Sequence, residues 1–232
     1  MNSWVNVIWS SMGRKVISAL TGLGLFIFLI FHLLGNLQLL YDNPQPFNEY
    51  SHFLISLGGA LYIIEIALLL SFVFHAIMGI AVWIGKKKAR PGSYEKVEDA
   101  GAPSRKTISS KTMIYTGIIT LAFLIFHIVT FKYGPGIDDG YVAKAGDTVM
   151  RDLYRLVIEY FNKTWVVILY VVCMVLLGFH LRHAVWSAFQ SLGISQSRLL
   201  TFLFRIALVA GIIIGFGYLL IPLWIYFNGG AA

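Results

Sequence analysis

Five stretches of this chain are long and apolar enough to cross a membrane: about 16–41, 58–84, 113–133, 164–189 and 199–227. A helix needs roughly 20 apolar residues to span the hydrocarbon core of a bilayer. Polar segments rich in turn formers join the stretches, such as Asp42-Asn43-Pro44-Gln45-Pro46 and Lys132-Tyr133-Gly134-Pro135-Gly136. Composition agrees: 58% of residues are hydrophobic, 12% are charged and the mean hydropathy is +0.75, whereas soluble domains carry about 25% charged residues. The reading is an all-α integral membrane protein, one domain over residues 1–232. It has five transmembrane helices, and the first four form a bundle able to hold a cofactor.

The single cysteine, Cys173, excludes an internal disulfide and any cysteine-based iron–sulfur or zinc site, and reads as a small buried hydrophobe. Trp4, Val5 and Trp9 precede Arg14-Lys15, and no small-residue cleavage site follows the first apolar run, so no signal peptide is expected. The net charge of +7 reads as membrane topology rather than as nucleic-acid binding. With the N-terminus inside, the inner side receives Arg14, Lys15, Lys86, Lys87, Lys88, Arg90, Lys96, Arg105, Lys106, Lys111, Arg182, Arg198 and Arg205. The outer side receives only Lys132, Lys144, Arg151, Arg155 and Lys163, beside seven acids. The positive-inside rule then predicts N-inside and C-outside. Lys86-Lys87-Lys88 also suits docking to an acidic partner subunit.

Four of the six histidines follow a phenylalanine in four separate spans: Phe31-His32, Phe74-His75, Phe126-His127 and Phe179-His180. Ionisable groups at membrane depth are costly and mark functional sites by default. The pentapeptide Phe-Leu-Ile-Phe-His occurs at 28–32 and again at 123–127, each time with its histidine ten residues after the glycine of a Thr-Gly pair, Thr21-Gly22 and Thr116-Gly117. His32 and His127 lie on helices that run outward and reach an outer level. His75 and His180 lie on helices that run back and reach an inner level, at least ~6–9 Å away at 1.5 Å per residue. Two imidazoles facing each other can take both axial positions of a haem iron, whereas a zinc ion would want three or four clustered ligands. The pattern predicts two bis-histidine haems, with structural or proton-relay histidines as the alternative.

Gly22 and Gly117 lie about 15 Å below their histidines along each helix, where the inner haem would pass. They read either as space for a flat macrocycle or as ordinary small-residue packing. Glu65, an acid inside the second span, is expected to be paired or protonated, and reads as proton handling or as structural support near the outer haem. Glu49 and His52, in a loop over 42–57, can exchange protons with a quinol or be simply solvated. His183 competes with His180 as the inner ligand. The preferred assignment is His180, with Arg182 at the inner interface reaching a lipid phosphate or a haem propionate.

These residues resemble the di-haem cytochrome b membrane anchor of succinate:quinone oxidoreductases, the succinate dehydrogenases and fumarate reductases, in the five-helix single-anchor form. The similar stretches are Phe47-Asn48 through His52-Phe53, Phe74-His75-Ala76, Thr116-Gly117-Ile118-Ile119-Thr120 through His127, and Phe179-His180 through Trp186-Ser187. The resemblance implies ligand pairs His32–His127 and His75–His180, two haems b, and a quinone, menaquinone being the expected one. It implies a flavoprotein subunit with FAD and an iron–sulfur subunit, both on the inner face of a bacterial cytoplasmic membrane, in a respiratory chain joined to the tricarboxylic acid cycle. It links Glu49 to the quinone. Gly178 stands where one relative carries a proton-transferring glutamate, which leaves Glu65 as the only acid within a span. The rivals are the cytochrome b subunit of a hydrogenase or formate dehydrogenase, and a haem-free proton-coupled transporter.

Overall fold

A computed structural model describes residues 3–89, 108–194 and 197–228. Among these residues five helical stretches are long and apolar enough to cross a membrane: Ser11–Leu40, Gly59–Ala89, Ile108–Lys132, Thr164–Ser191 and Arg198–Asn228. This makes the chain a multi-pass membrane protein. Large side chains along them stand open, among them Phe31 at 64%, Ile63 at 70% and Phe216 at 62% exposure. Faces of that kind need a lipid solvent.

The spans are built from α2 (Ser11–Asn36), closed by a 3₁₀ turn over Leu37–Leu40, and from α4 (Gly59–Ala89), α5 (Ile108–His127), α7 (Thr164–Ser191) and α8 (Ser197–Asn228); a short α1 (Ser3–Trp9) precedes them. Two of them outrun the apolar stretch for a physical reason. Arg14 joins the first turns of α2 by donating to the Ala81 carbonyl at 3.1 Å. Lys86, Lys87 and Lys88 extend α4, where cations oppose the negative end of the helix dipole. After His127, the ladder of α5 widens into a π-helical segment over Ile128–Lys132. Such segments often accompany functional sites.

The polar connections are more ordered than the sequence implied. The expected loop over 42–57 is largely α3 (Gln45–Ser56), opened by prolines in its first turn, where their fixed φ and missing N–H do no harm. The segment 134–163 holds an antiparallel hairpin of β1 (Val142–Ala145) and β2 (Thr148–Arg151), with Val142 opposite Arg151 and Ala145 opposite Thr148. Its two-residue turn needs the positive φ of Gly146, +57°. The Asp152 carboxylate caps α6 (Leu153–Phe161) by accepting from the Arg155 N–H at 3.0 Å. A hairpin is thus added to the all-α reading; its alternation was too short to stand out beside five apolar runs.

The described chain divides into two compact units, and each long helix contributes to both. The first comprises Met1–Phe28, Ala67–Ile118 and Gly178–Ile213, and has a core at Val185, Trp186 and Ala207. The second comprises Leu29–Ile66, Ile119–Leu177 and Ile214–Ala232, and its core includes Leu33, Phe47, Val157, Phe161, Val166, Tyr170 and Ile225. Inside the second unit Asn48, 1% exposed, joins α3 to α6: it donates to Asp152 Oδ1 at 2.8 Å and accepts from the Tyr154 N–H at 2.9 Å.

Charge is sorted between the units. The first has Arg14, Lys15, Lys86, Lys87, Lys88, Lys111, Arg182, Arg198 and Arg205, and no Asp or Glu among its described residues. Arg90, Lys96, Arg105 and Lys106, counted above toward the inner side, lie outside the described residues.

Candidate metal centres

Four of the half-buried histidines form two pairs, one in each unit. In the first unit the rings of His75 on α4 and His180 on α7 have centroids 6.3 Å apart and planes at 70°. Each ring is held through Nδ1. His75 Nδ1 lies 2.9 Å from the Ser18 carbonyl oxygen. A carbonyl only accepts, so Nδ1 carries the proton and Nε2 keeps its lone pair. His180 Nδ1 lies 3.1 Å from the Thr116 hydroxyl. That hydroxyl spends its own proton on the Met113 carbonyl at 3.0 Å, so it too accepts from the ring, and His180 Nε2 is left for a metal.

Gly22 and Gly117 stand against these same two rings. A Cβ at Gly22 would lie 2.9 Å from His75 Cε1, and one at Gly117 would lie 3.4 Å from His180 Cε1. Both glycines stand beside the His75–His180 pair. The group that stands against their backbone is an imidazole. His183, the rival ligand, has its ring 6.0 Å from that of Trp186, while His180 is the one that faces His75. The Arg182 guanidinium lies 5.9 Å from the Phe204 ring, and its buried Nε has no hydrogen-bond partner among the described residues.

In the second unit the centroids of His32 on α2 and His127 on α5 are 5.7 Å apart with planes at 88°. His127 Nδ1 meets the Tyr170 hydroxyl at 3.0 Å. Phe123 and Phe131 flank His127 with centroids at 5.9 and 5.4 Å, and Tyr218 lies 6.1 Å from His32. The Tyr218 hydroxyl donates to the Leu29 carbonyl at 2.7 Å. Glu65 is paired, as a carboxylate at that position requires: Lys132 in the π segment forms a salt bridge with it. Glu49 and His52 are on α3. Glu49 is exposed and accepts from Gln45 Nε2 at 2.7 Å, and His52 makes no hydrogen bond or ring contact among the described residues. Neither is brought to a histidine pair.

His75 with His180, and His32 with His127, are the residues that would hold an iron between two imidazoles; the first pair has the expected spacing and the second is about 0.6 Å closer. Metal–imidazole bonds of about 2.0–2.1 Å, with the ring centroid about 1.1 Å beyond the nitrogen, put two collinear rings roughly 6.3 Å apart. The observed values are 6.3 and 5.7 Å. A bare metal lacks ligands: no group of three or more His, Cys, Asp or Glu able to hold one occurs among the described residues. A macrocycle supplies four nitrogens in its plane and asks the protein for the axial two.

Sequence reasoning missed the partners that orient the rings. The Ser18 and Met113 carbonyls belong to the main chain and carry no side-chain signal. Thr116 stood in the repeated Thr-Gly pair and was visible there. Tyr170 and Lys132 are single residues inside apolar or loop context, and only the fold brings them to His127 and Glu65. Searches against family models, curated proteins and solved structures returned no match to this chain.

Proposed function

We propose that this chain is the membrane-anchor cytochrome b subunit of a succinate:quinone oxidoreductase, holding one haem b at His32–His127 and another at His75–His180. The carrying observation is that each pair sets two imidazoles near the spacing of axial ligands, with Nδ1 of three of the four rings already engaged. Fixing the outer nitrogen of a metal-bound histidine sets its tautomer and ring orientation. Haem b, when bound, supplies a one-electron carrier inside the membrane.

The chain's own residues do the rest. Ser18 and Thr116 orient the inner imidazoles, Gly22 and Gly117 leave them room, and Phe123 and Phe131 keep water from His127. The first unit, cation-rich and without Asp or Glu among its described residues, belongs on the inner face, with the N-terminus inside and the C-terminus outside. There it would meet the iron–sulfur and FAD-bearing subunits that the family resemblance implies. Quinone, with menaquinone the expected species, belongs with the second unit. Glu49 and His52 are exposed or half-exposed there and able to exchange protons with water. The setting is a bacterial cytoplasmic membrane. Dicarboxylate chemistry lies on the partner subunits.

The test is the pyridine haemochrome content of the purified complex, together with reduction of its haem by succinate. Two haems b per chain and reduction by succinate are expected. Haem reduced by hydrogen or formate instead would move the chain to another oxidoreductase. Absence of haem would leave the proton-coupled transporter.

A further inference from the structure

The ring anchors differ in kind between the two pairs. His75 donates to a main-chain carbonyl, and His180 donates to a hydroxyl whose proton is already committed. His127 faces a phenol. We infer that Tyr170 tunes the redox potential of the His32–His127 centre selectively, by accepting the hydrogen bond from His127 Nδ1. The inference rests on the haem reading above.

Three observations carry it. First, the contact is short, 3.0 Å, and Tyr170 is only 6% exposed, so water does not compete for either group. Second, the phenol has little freedom. The rings of Phe123 and Phe161 cross it edge-on at 4.8 Å each, and Phe126 and Phe131 lie at 6.5 and 6.4 Å. Third, the hydroxyl has no other hydrogen-bond partner among the described residues. A phenol can donate or accept. With Nε2 bound to a metal, Nδ1 must carry the proton, and the Tyr170 oxygen can then only accept.

The consequence has a sign. An acceptor on Nδ1–H pushes electron density toward Nε2 and stabilises the oxidised, more positive iron. The negative end of the phenol dipole acts in the same direction. Removing the oxygen therefore raises the midpoint potential of this centre. The His75–His180 centre keeps its own anchors and should not move. Phenylalanine fills the same cage with nearly the same volume, so Y170F removes the hydroxyl and leaves the packing.

The experiment is a redox titration of the intact complex, followed optically and by low-temperature electron paramagnetic resonance. H127A identifies which midpoint belongs to His32–His127. For Y170F we expect two haems retained and a rise in that midpoint equivalent to about a tenfold change in the oxidised-to-reduced ratio, or ~59 mV for one electron. The resonance of the same haem should shift as the ring loses its anchor, with the other midpoint unchanged. Two haems with both midpoints unmoved overturns the inference and leaves the haem reading standing. Equal shifts in both centres overturn it too. If Y170F holds fewer than two haems, replacement of tyrosine by 3-fluorotyrosine decides. Its weaker acceptor oxygen should raise the same single midpoint by less, and no shift refutes the role. A wild-type complex without haem removes both readings together.

Discussion

Gly22 and Gly117 occupy the same place in the repeated Thr-Gly pair, yet substitution by alanine should act on them with opposite sign. A methyl at Gly22 would stand 2.9 Å from His75 Cε1 and 3.0 Å from its Nδ1. Ordinary contact begins near 3.4 Å, so the ring must retreat by about 0.5 Å. The retreat strains the bond to the Ser18 carbonyl, now 2.9 Å long, toward the limit of a hydrogen bond. Losing that bond costs roughly 1 kcal/mol, or about fivefold in affinity for a group bound through His75. At Gly117 the nearest ring atom would be 3.4 Å away, already ordinary contact. Alanine there needs no displacement and gains up to about 1 kcal/mol of helix propensity.

The assay is haem content and thermal stability of the two variants side by side. G22A should lose part of the haem at His75–His180 on gel filtration. G117A should keep both haems and melt at the same or a higher temperature. Equal haem loss in both variants, or none in G22A, would refute the role given to these contacts.

Other outcomes follow from the second unit. N48A leaves the Tyr154 N–H without its acceptor and Asp152 with only the Arg155 N–H, and should destabilise by about 1–3 kcal/mol, read as a fall in melting temperature. Glu65 and Lys132 pair with each other inside membrane-spanning segments, so a double-mutant cycle of E65Q and K132Q should return a favourable coupling. If Glu65 also handles protons, E65Q should slow quinone-linked turnover while leaving both haems in place. The Glu159 carboxyl is held below its ordinary value by the Tyr141 hydroxyl and by Arg155. Its contribution to stability is therefore present above the ordinary value of 4.5 and lost as pH falls from there through the lowered one. Y141F brings the folded-state value back toward the ordinary one, so the melting temperature should fall less between about pH 5 and 3 than in the parent.

The spans and the histidine pairing were legible because both are periodic or costly. An apolar run of that length has one stable form in lipid, and a histidine within it needs a reason. His32–His127 and His75–His180 come together as their depths implied. The order in the connections over 42–57 and 134–163 was not legible. Helix α3 depends on burying Phe47 and Asn48, and the hairpin depends on Gly146 at positive φ. The spacing of the glycines brought them beside His75 and His180, while the close approach of the two imidazole rings had no sequence signal. Tyr170 and Lys132 could not be read at all, since each acquires meaning only from a residue more than 40 positions away.

The central claim is that four histidines on four helices form two separate two-ligand iron sites. The most direct measurement is haem content with low-temperature electron paramagnetic resonance on the purified complex and on H32A, H75A, H127A and H180A. The account predicts two low-spin haems b per chain in the parent. H32A and H127A should each abolish one and the same signal, and H75A and H180A should each abolish the other. Haem absent from the parent, or signals lost in any other pairing, would contradict it.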